Sequence, residues 1–511
     1  MAVSHQWFVQ WSPPSLVFED ISKDFKNVNP SWNNYKDEYV NPFELSSSKT
    51  LRNYKEPYIK KKQKVRLKKL IKNTYFCLFS DRTRLAGMAL WLTMLGLTRS
   101  QSVPSDTETP PFSTLYKWKH LDFEFPSERH RRYAIANGDF IPANILPLGL
   151  EVWGSRVFVT IPSWRRGVPA TLATVPRSGG VTSPRLKPYP DWSFHRAFSY
   201  NCSGLTSVFR MNIDHCGRLW VLDSGQIDTQ DNPTQICPPS IIVFDLTTDM
   251  PIARYIIPKK YVLEDSLFSN IILDTRRKDC SDLHAYIADT WRFGLLVFRE
   301  SDESFWRFSH HLFFPDPLAS NYTLHGLNFQ WTDGIFGLAL SPVDQFEERI
   351  LYFHAMSSYR EFYVKTSVLR DSSRVNNSAT EFSMLGESRG LFGQASASAI
   401  DKRGVMFYGL VTRDTVACWD TAKSHLKQNL GVVAMNKETL VFPNDIRIDQ
   451  EERQSVWVIT NRLPMFQEGP LDSDDYNYRI LYADTKEAVR GTVCNPFFQP
   501  YNKWYKYVSK H

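Results

Sequence analysis

A series of short apolar strands ends on side chains able to do chemistry: Asp223 in WVLDSG, Asp289 and Thr290 in YIADT, His354 in YFHAM, Thr412 in GLVTRD and Asn461 in VITNR, joined by Asn444 and Asp445 in FPND. A carboxylate at such a position can hold a cation, the neutral polar groups can hydrogen-bond a polar ligand, and Trp291 or Phe442 can stack on an aromatic ring. The His354 imidazole can take or give a proton as a general acid or base. Asp223 and Asp289 lead as catalytic candidates because they stand at the same phase of adjacent repeats, with His354 third. The competing reading is structural, since Asp and Asn at strand ends turn the chain and cap backbone amides. No nucleophile elbow, P-loop, HExxH or Rossmann glycine pattern stands in a supporting context, so the motifs call for no cofactor and no metal.

The elements that must position these residues repeat. VFVTIP at Val157, LWVLDS at Leu219, AYIADT at Ala285, LYFHAM at Leu351, MFYGLV at Met406 and VWVITN at Val456 start 62, 66, 66, 55 and 50 positions apart. Most are preceded by a strand and polar turn, such as MNIDHCGR or SAIDKRG, and followed by another strand pair, such as IIVFDLTTDMPIARYIIP or LLVFRESDESFWRFSH. Each unit offers four antiparallel strands, and a sheet of this kind buries both faces only by stacking on its neighbours. The expected fold is all-β: a six-bladed β-propeller of four-stranded blades, with the polar residues at the ends of the innermost strands converging on one mouth. LYKWKHLDFEF at Leu115–Phe125 is a spare strand, expected to complete the last blade beside RILYADT.

Charge is uneven. Residues 1–87 carry 16 Lys or Arg against 8 Asp or Glu, and the rest of the chain carries 45 against 46. A neutral main domain lacks the electrostatic footprint of a nucleic-acid binder. The Lys-rich run at 58–73 reads as a solvated segment rather than a nuclear or lipid-binding signal. Leu85–Leu97, LAGMALWLTMLGL, is too short to span a bilayer and reads as a signal-peptide core, with Ser100 and Ser102 suiting the cleavage positions. Because Met88 lies inside it, a start later than Met1 is expected; a cytosolic tail and a retained leader are the competing readings. The expected organisation is a leader at 1–84, a signal-like segment at 85–102, a linker at 103–114, the propeller at 115–500 and a tail at 501–511. Secretion suits Cys202, Cys216, Cys237, Cys280, Cys418 and Cys494, an even set without a CxxC pair, read as disulfide candidates with 15 pairings open. Sequons at Asn201, Asn321 and Asn376 are candidate glycosylation sites.

YKWKHLDFEF, RRYAIANGDFIPANILPLGLEVWGSRVFVTIPSWRRGVPATLATVP, CGRLWVLDSGQID, QICPPSIIVFDLTTD, YIADTWRFGLLVF, ACWD at Ala417–Asp420 and VFPNDIRID at Val441–Asp449 together resemble the insect yellow and major royal jelly protein family over roughly residues 115–500. The resemblance implies a secreted six-bladed propeller in cuticle or eggshell pigmentation, some members being linked to dopachrome conversion in melanin synthesis. Salivary relatives that bind biogenic amines and nutritive royal jelly members imply the alternative of a non-catalytic binder of small aromatic ligands, or a structural cuticle protein. A third class, a metal-dependent lactonase-like hydrolase, rests on architecture alone. Turnover and oligomeric state are left open by the residues; if the protein is an enzyme, a dopachrome-converting isomerase is expected.

Overall fold

The computed structural model describes residues 111–497 apart from 180–181, 196–201 and 231. The leader, the apolar run at 85–97, the polybasic run, the Asn201 sequon and the 501–511 tail lie outside them. Six four-stranded antiparallel sheets follow one another along the chain. Blade one comprises Gly149–Trp153, Arg156–Thr160, Leu172–Pro176 and Lys187–Pro188; blade two Val208–Ile213, Arg218–Asp223, Ser240–Asp245 and Met250–Ile256. Blade three comprises Phe268–Asp274, His284–Asp289, Gly294–Arg299 and Ser304–Ser309; blade four Ile335–Leu340, Ile350–Ala355, Phe362–Lys365 and Ser383–Met384. Blade five comprises Ala395–Ile400, Val405–Leu410, Thr415–Asp420 and Leu430–Met435. The first strand of each sheet packs against the first strands of the neighbouring sheets, and that of blade six returns to blade one, closing a six-bladed β-propeller.

Blade six holds Pro443–Ile448, Ser455–Thr460 and Tyr478–Asp484, and its fourth strand comes from the other end of the chain. Ser113–Trp118 pairs antiparallel with Tyr478–Asp484, Trp118 opposite Tyr478 and Ser113 opposite Tyr482. This is the closing strand expected from LYKWKHLDFEF, although it begins at Ser113 and ends at Trp118.

One expectation is corrected. The six repeated apolar cores are the second strands of the blades, and the innermost strands lie just upstream of them. The hairpin joining the two is built by a local device. Asp214 Oδ1 accepts from the amides of Cys216 and Arg218, both at 3.0 Å, around Gly217 at φ 78, a left-handed conformation that favours glycine. Asp401 repeats it with the amides of Arg403 at 2.9 Å and Val405 at 3.0 Å. Carboxylates at these hairpins also reach into the sheet: Trp220 Nε1 donates to Asp214 Oδ2 at 2.9 Å, Trp457 Nε1 to Asp449 Oδ2 at 2.9 Å and Tyr286 Oη to Asp274 Oδ2 at 2.7 Å.

Between blades the layers are apolar. Trp220, Leu222, Ile241 and Val243 of blade two share a buried cluster with Ile271, Leu273, Ala285, Ile287, Leu296 and Phe298 of blade three. Each such large side chain contributes about 1.5–3 kcal/mol on burial. Disulfides join Cys202 to Cys237, Cys216 to Cys280 and Cys418 to Cys494, which pairs all six candidates. Cys418 and Trp419 of ACWD are thus disulfide and core, Trp419 being 2% exposed.

Removing the chain through Trp118 is expected to leave an open ring with the edge of Tyr478–Asp484 unpaired, seen as aggregation in size-exclusion chromatography and loss of a cooperative melt. A chain that starts just before residue 111 should melt as the longer form does.

Candidate functional site

In every blade the start of the innermost strand lies beside the end of the second: Gly149 opposite Thr160, Val208 opposite Asp223, Phe268 opposite Asp289, Ile335 opposite Ala355, Ala395 opposite Leu410 and Pro443 opposite Thr460. The polar strand ends therefore do ring one mouth, but most face protein partners. Asp223 accepts the amides of Thr206, Ser207 and Gly225 at 2.7, 2.8 and 2.9 Å. Asp289 accepts the Leu267 amide at 2.9 Å, Ser266 Oγ at 2.7 Å and Arg307 Nη1 at 2.8 Å. Both carboxylates hold down the chain entering their own blade's innermost strand. Thr290 Oγ1 donates to the Ile335 carbonyl at 2.8 Å.

His354 is fully buried, Nε2 donating to the Ser396 carbonyl at 2.7 Å and Nδ1 lying 2.9 Å from Glu361 Oε2, which also accepts Arg389 Nη1 at 2.7 Å. Both of its nitrogens are thus engaged within the wall. Asn444 and Asn461 stitch the ring, donating from Nδ2 to the carbonyls of Leu148 at 2.5 Å and Pro147 at 2.8 Å. Thr412 Oγ1 donates to Gln394 Oε1 at 3.0 Å.

Of the two aromatic candidates, one keeps its surface at the mouth and the other is buried. Trp291 is 41% exposed, and its Nε1 donates to Asp333 Oδ1 at 3.1 Å. Burial pushes the Asp333 carboxyl up to about 6, opposed by the Trp291 bond. Phe442 is covered by a hairpin outside the six blades, Asn321–Leu324 and Leu327–Gln330, inserted between blades three and four. Tyr322, Leu324, Phe209, Phe336, Val411, Phe442 and Phe466 form one apolar cluster, with Phe329, Trp331 and Trp164 packed on it. The Trp331 and Phe442 rings meet edge to face at 5.9 Å. Asp333, Trp331 and the hairpin escaped the sequence reading. The signal was present in NYTLHGLNFQW, whose apolar and polar residues alternate about a His-Gly turn.

Below the mouth the axis is filled by charge, which the reading also missed except for Asp445. Arg210 of blade two donates from Nη1 to Asp445 Oδ1 of blade six at 2.5 Å and from Nη2 to the Asn444 carbonyl at 2.6 Å. Asp445 Oδ2 accepts the Leu150 amide of blade one at 3.1 Å. Arg447 Nε lies 3.4 Å from both Glu151 Oε1 and Asp445 Oδ2, and its Nη2 is 3.4 Å from Asn270 Oδ1 of blade three. Asn212 Nδ2 donates to Glu151 Oε1 at 2.8 Å. Arg210, Asp445, Asn270, Glu151 and Arg447 are all buried.

This donor set does not fit a calcium-type ion, because both carboxylates face guanidiniums at the place a divalent cation would occupy. Among the described residues, one group of His, Cys, Asp or Glu has ligand spacing, His215 with Cys216 and Cys280, and those cysteines are bonded to each other.

Fold and site together define the class: a six-bladed propeller with an ion-paired axis and an aromatic site at one mouth. Residues 206–494 match the family model described as major royal jelly protein. The dopaminechrome tautomerase of Drosophila melanogaster is 42% identical over 404 residues, covering 78% of this chain and 86% of that protein. Protein yellow of Drosophila erecta is 40% identical over 383 residues, covering 74% of this chain and 70% of its own, and protein yellow of Drosophila melanogaster gives the same figures. The chain belongs to the yellow and major royal jelly protein family.

The axis carries a pH signature. Burial raises the Glu151 carboxyl from 4.5 to about 7, partly offset by Arg447 and Asn212. The folded state then binds a proton between these values that the unfolded chain has released, so stability falls as pH rises through that window, by about 3 kcal/mol. Glu151→Gln should flatten this slope and unfold later in urea at pH 8 than the parent, the two converging near pH 4. Asp445→Asn, which strips Arg210 of its buried partner, should cost about 3–5 kcal/mol in the same titration.

Proposed function

We propose that the protein is exported and acts in the extracellular chemistry of catecholamines and pigment, binding a catecholamine-type ligand at the mouth, beside the hairpin. The observation that carries this reading is the Trp291–Asp333 pair: an exposed indole beside a desolvated carboxylate, flanked by the Phe293 and Phe314 rings 4.9 Å apart. A carboxylate with aromatic faces around it is the recognition chemistry of a protonated aromatic amine. Family membership and the named activity of the dopaminechrome tautomerase relative support the same ligand class. Export is supported by the three disulfides, which form and persist in oxidising compartments. Among the described residues, no helix is long and apolar enough to cross a membrane. Asn321 and Asn376 are exposed, as glycan acceptors must be.

Within this reading two chemistries compete. An isomerase needs a group that takes a proton from one atom of the ring system while another atom is protonated. Asp333, held at about 6, has the basicity for the first half of that task. A carrier needs only the Trp291–Asp333 pair to bind, and the engagement of Asp223, Asp289 and His354 by protein partners favours it over catalysis by those three residues.

Dopamine binding followed by calorimetry should weaken about tenfold or more in Asp333→Asn and in Trp291→Ala, with melting curves unchanged. Unaltered affinity in both would overturn the site. Dopaminechrome absorbance decides turnover: decay accelerated by the parent and not by Asp333→Asn marks an isomerase, and tight dopamine binding without acceleration marks a carrier.

A further inference from the structure

The hairpin at Asn321–Leu324 and Leu327–Gln330 is held unlike any blade. Among the described residues its two strands pair only with each other, and no ladder hydrogen bond joins it to the propeller. A two-stranded hairpin is marginally stable alone, so its position depends on what its faces and ends touch. Its residues alternate: Tyr322 and Leu324 are buried, while Asn321, Thr323, Asn328 and Gln330 are exposed. The inner face carries an aromatic stack, Tyr322 on Phe329 at 5.2 Å and Phe329 against Trp331 at 4.6 Å.

Three polar fastenings complete it. On the inner face, Tyr322 Oη lies 2.9 Å from Ser357 Oγ, just past blade four's second strand, and Ser357 Oγ donates to the Trp331 carbonyl at 2.8 Å. At the root, Gln394 Nε2 donates to the carbonyls of Ala319 at 3.1 Å and Asn321 at 3.2 Å. At the tip, His325 and Gly326 both have positive φ, 49 and 85, which turns the chain tightly enough to project the imidazole. His325 Nε2 lies 2.9 Å from Asp414 Oδ2 in the turn between the second and third strands of blade five. Asp414 is buried, and desolvation raises its carboxyl while His325 pulls it back.

We infer that this hairpin is a lid, latched at its tip by the His325–Asp414 pair and swinging about the chain on either side of it, whose own rings occupy the place of an aromatic ligand until it opens. The inference rests on the mouth being the binding place. Closed, the lid presents Trp331 edge-on to Phe442, so a planar ring entering there must displace one aromatic contact to make another. Blade edges cannot move in this way, because each is bound through its ladder to the ring.

The test uses the secreted protein and its His325→Ala and Asp414→Asn variants. Hydrogen exchange read by mass spectrometry on peptides spanning residues 319–333 should accelerate about tenfold in both variants, with blade peptides unchanged. Stopped-flow mixing with dopamine should show association faster by a similar factor, because a larger fraction of molecules is open. Hairpin amides exchanging as slowly as blade amides in parent and variants alike would overturn the lid. So would accelerated exchange with an unchanged dopamine association rate. Accelerated exchange without dopamine binding to any of the three proteins would support the moving hairpin and remove the catecholamine reading.

Discussion

Every blade depends on the ring being closed. A four-stranded sheet with apolar residues on both faces is insoluble alone, and in a ring of six each sheet covers the next only if the last also covers the first. The closure is made twice. Ser113–Trp118 supplies the missing strand of blade six, and a line of side-chain bonds sews that blade to the chain entering blade one: Tyr478 Oη to the Ile145 carbonyl at 2.8 Å, with Asn461 and Asn444 reaching the next residues. The residues before and after blade one's start are therefore fixed from the far end of the sequence. Asn444 and Asn461, read as binding groups, belong to this seam, and Asp223 and Asp289 make similar anchors at blade entries.

With closure paid for in strand-end carboxylates and amides, the chemistry that remains is divided between two levels. On the axis, charge meets charge out of contact with water, and Arg210 lies over the Phe336 ring at 4.8 Å as well as against Asp445. Such an arrangement specifies register among blades more than it stabilises them. At the mouth, the exposed Trp291 indole stands beside the partly buried Asp333 carboxylate. The lower level holds the shape of the upper one, since Phe209, next to Arg210 in sequence, and Phe336, whose carbonyl accepts Asn270 Nδ2 at 2.9 Å, belong to the apolar cluster beneath the hairpin.

Fold class, blade count and closing strand were legible because β-rich cores recur at near-regular spacing and because a leftover strand has one sensible place to go. Which strand is innermost was not legible. The second strands are the more uniformly apolar, as in VWVIT, whereas the true inner strands carry Glu151, Arg210, Asn212, Asn270 and Arg447, polarity that on local grounds suggests a solvent-facing edge. Asp223 and Asp289 were correctly seen to share a phase, but equal phase in a repeat expresses an equal structural duty as readily as a shared ligand. Asp333 was hidden for the opposite reason. It follows an irregular connection, and only the fold brings Trp291 from the preceding blade to its side.

The axial cluster has a kinetic consequence. Arg447 of blade six reaches Asn270 of blade three, which stands opposite it in a ring of six, so the side chains cross the bore rather than line it. The propeller is therefore a cup and not a pipe. Whatever enters at the mouth must leave by the same opening, and a second molecule cannot wait behind the first or push it onward.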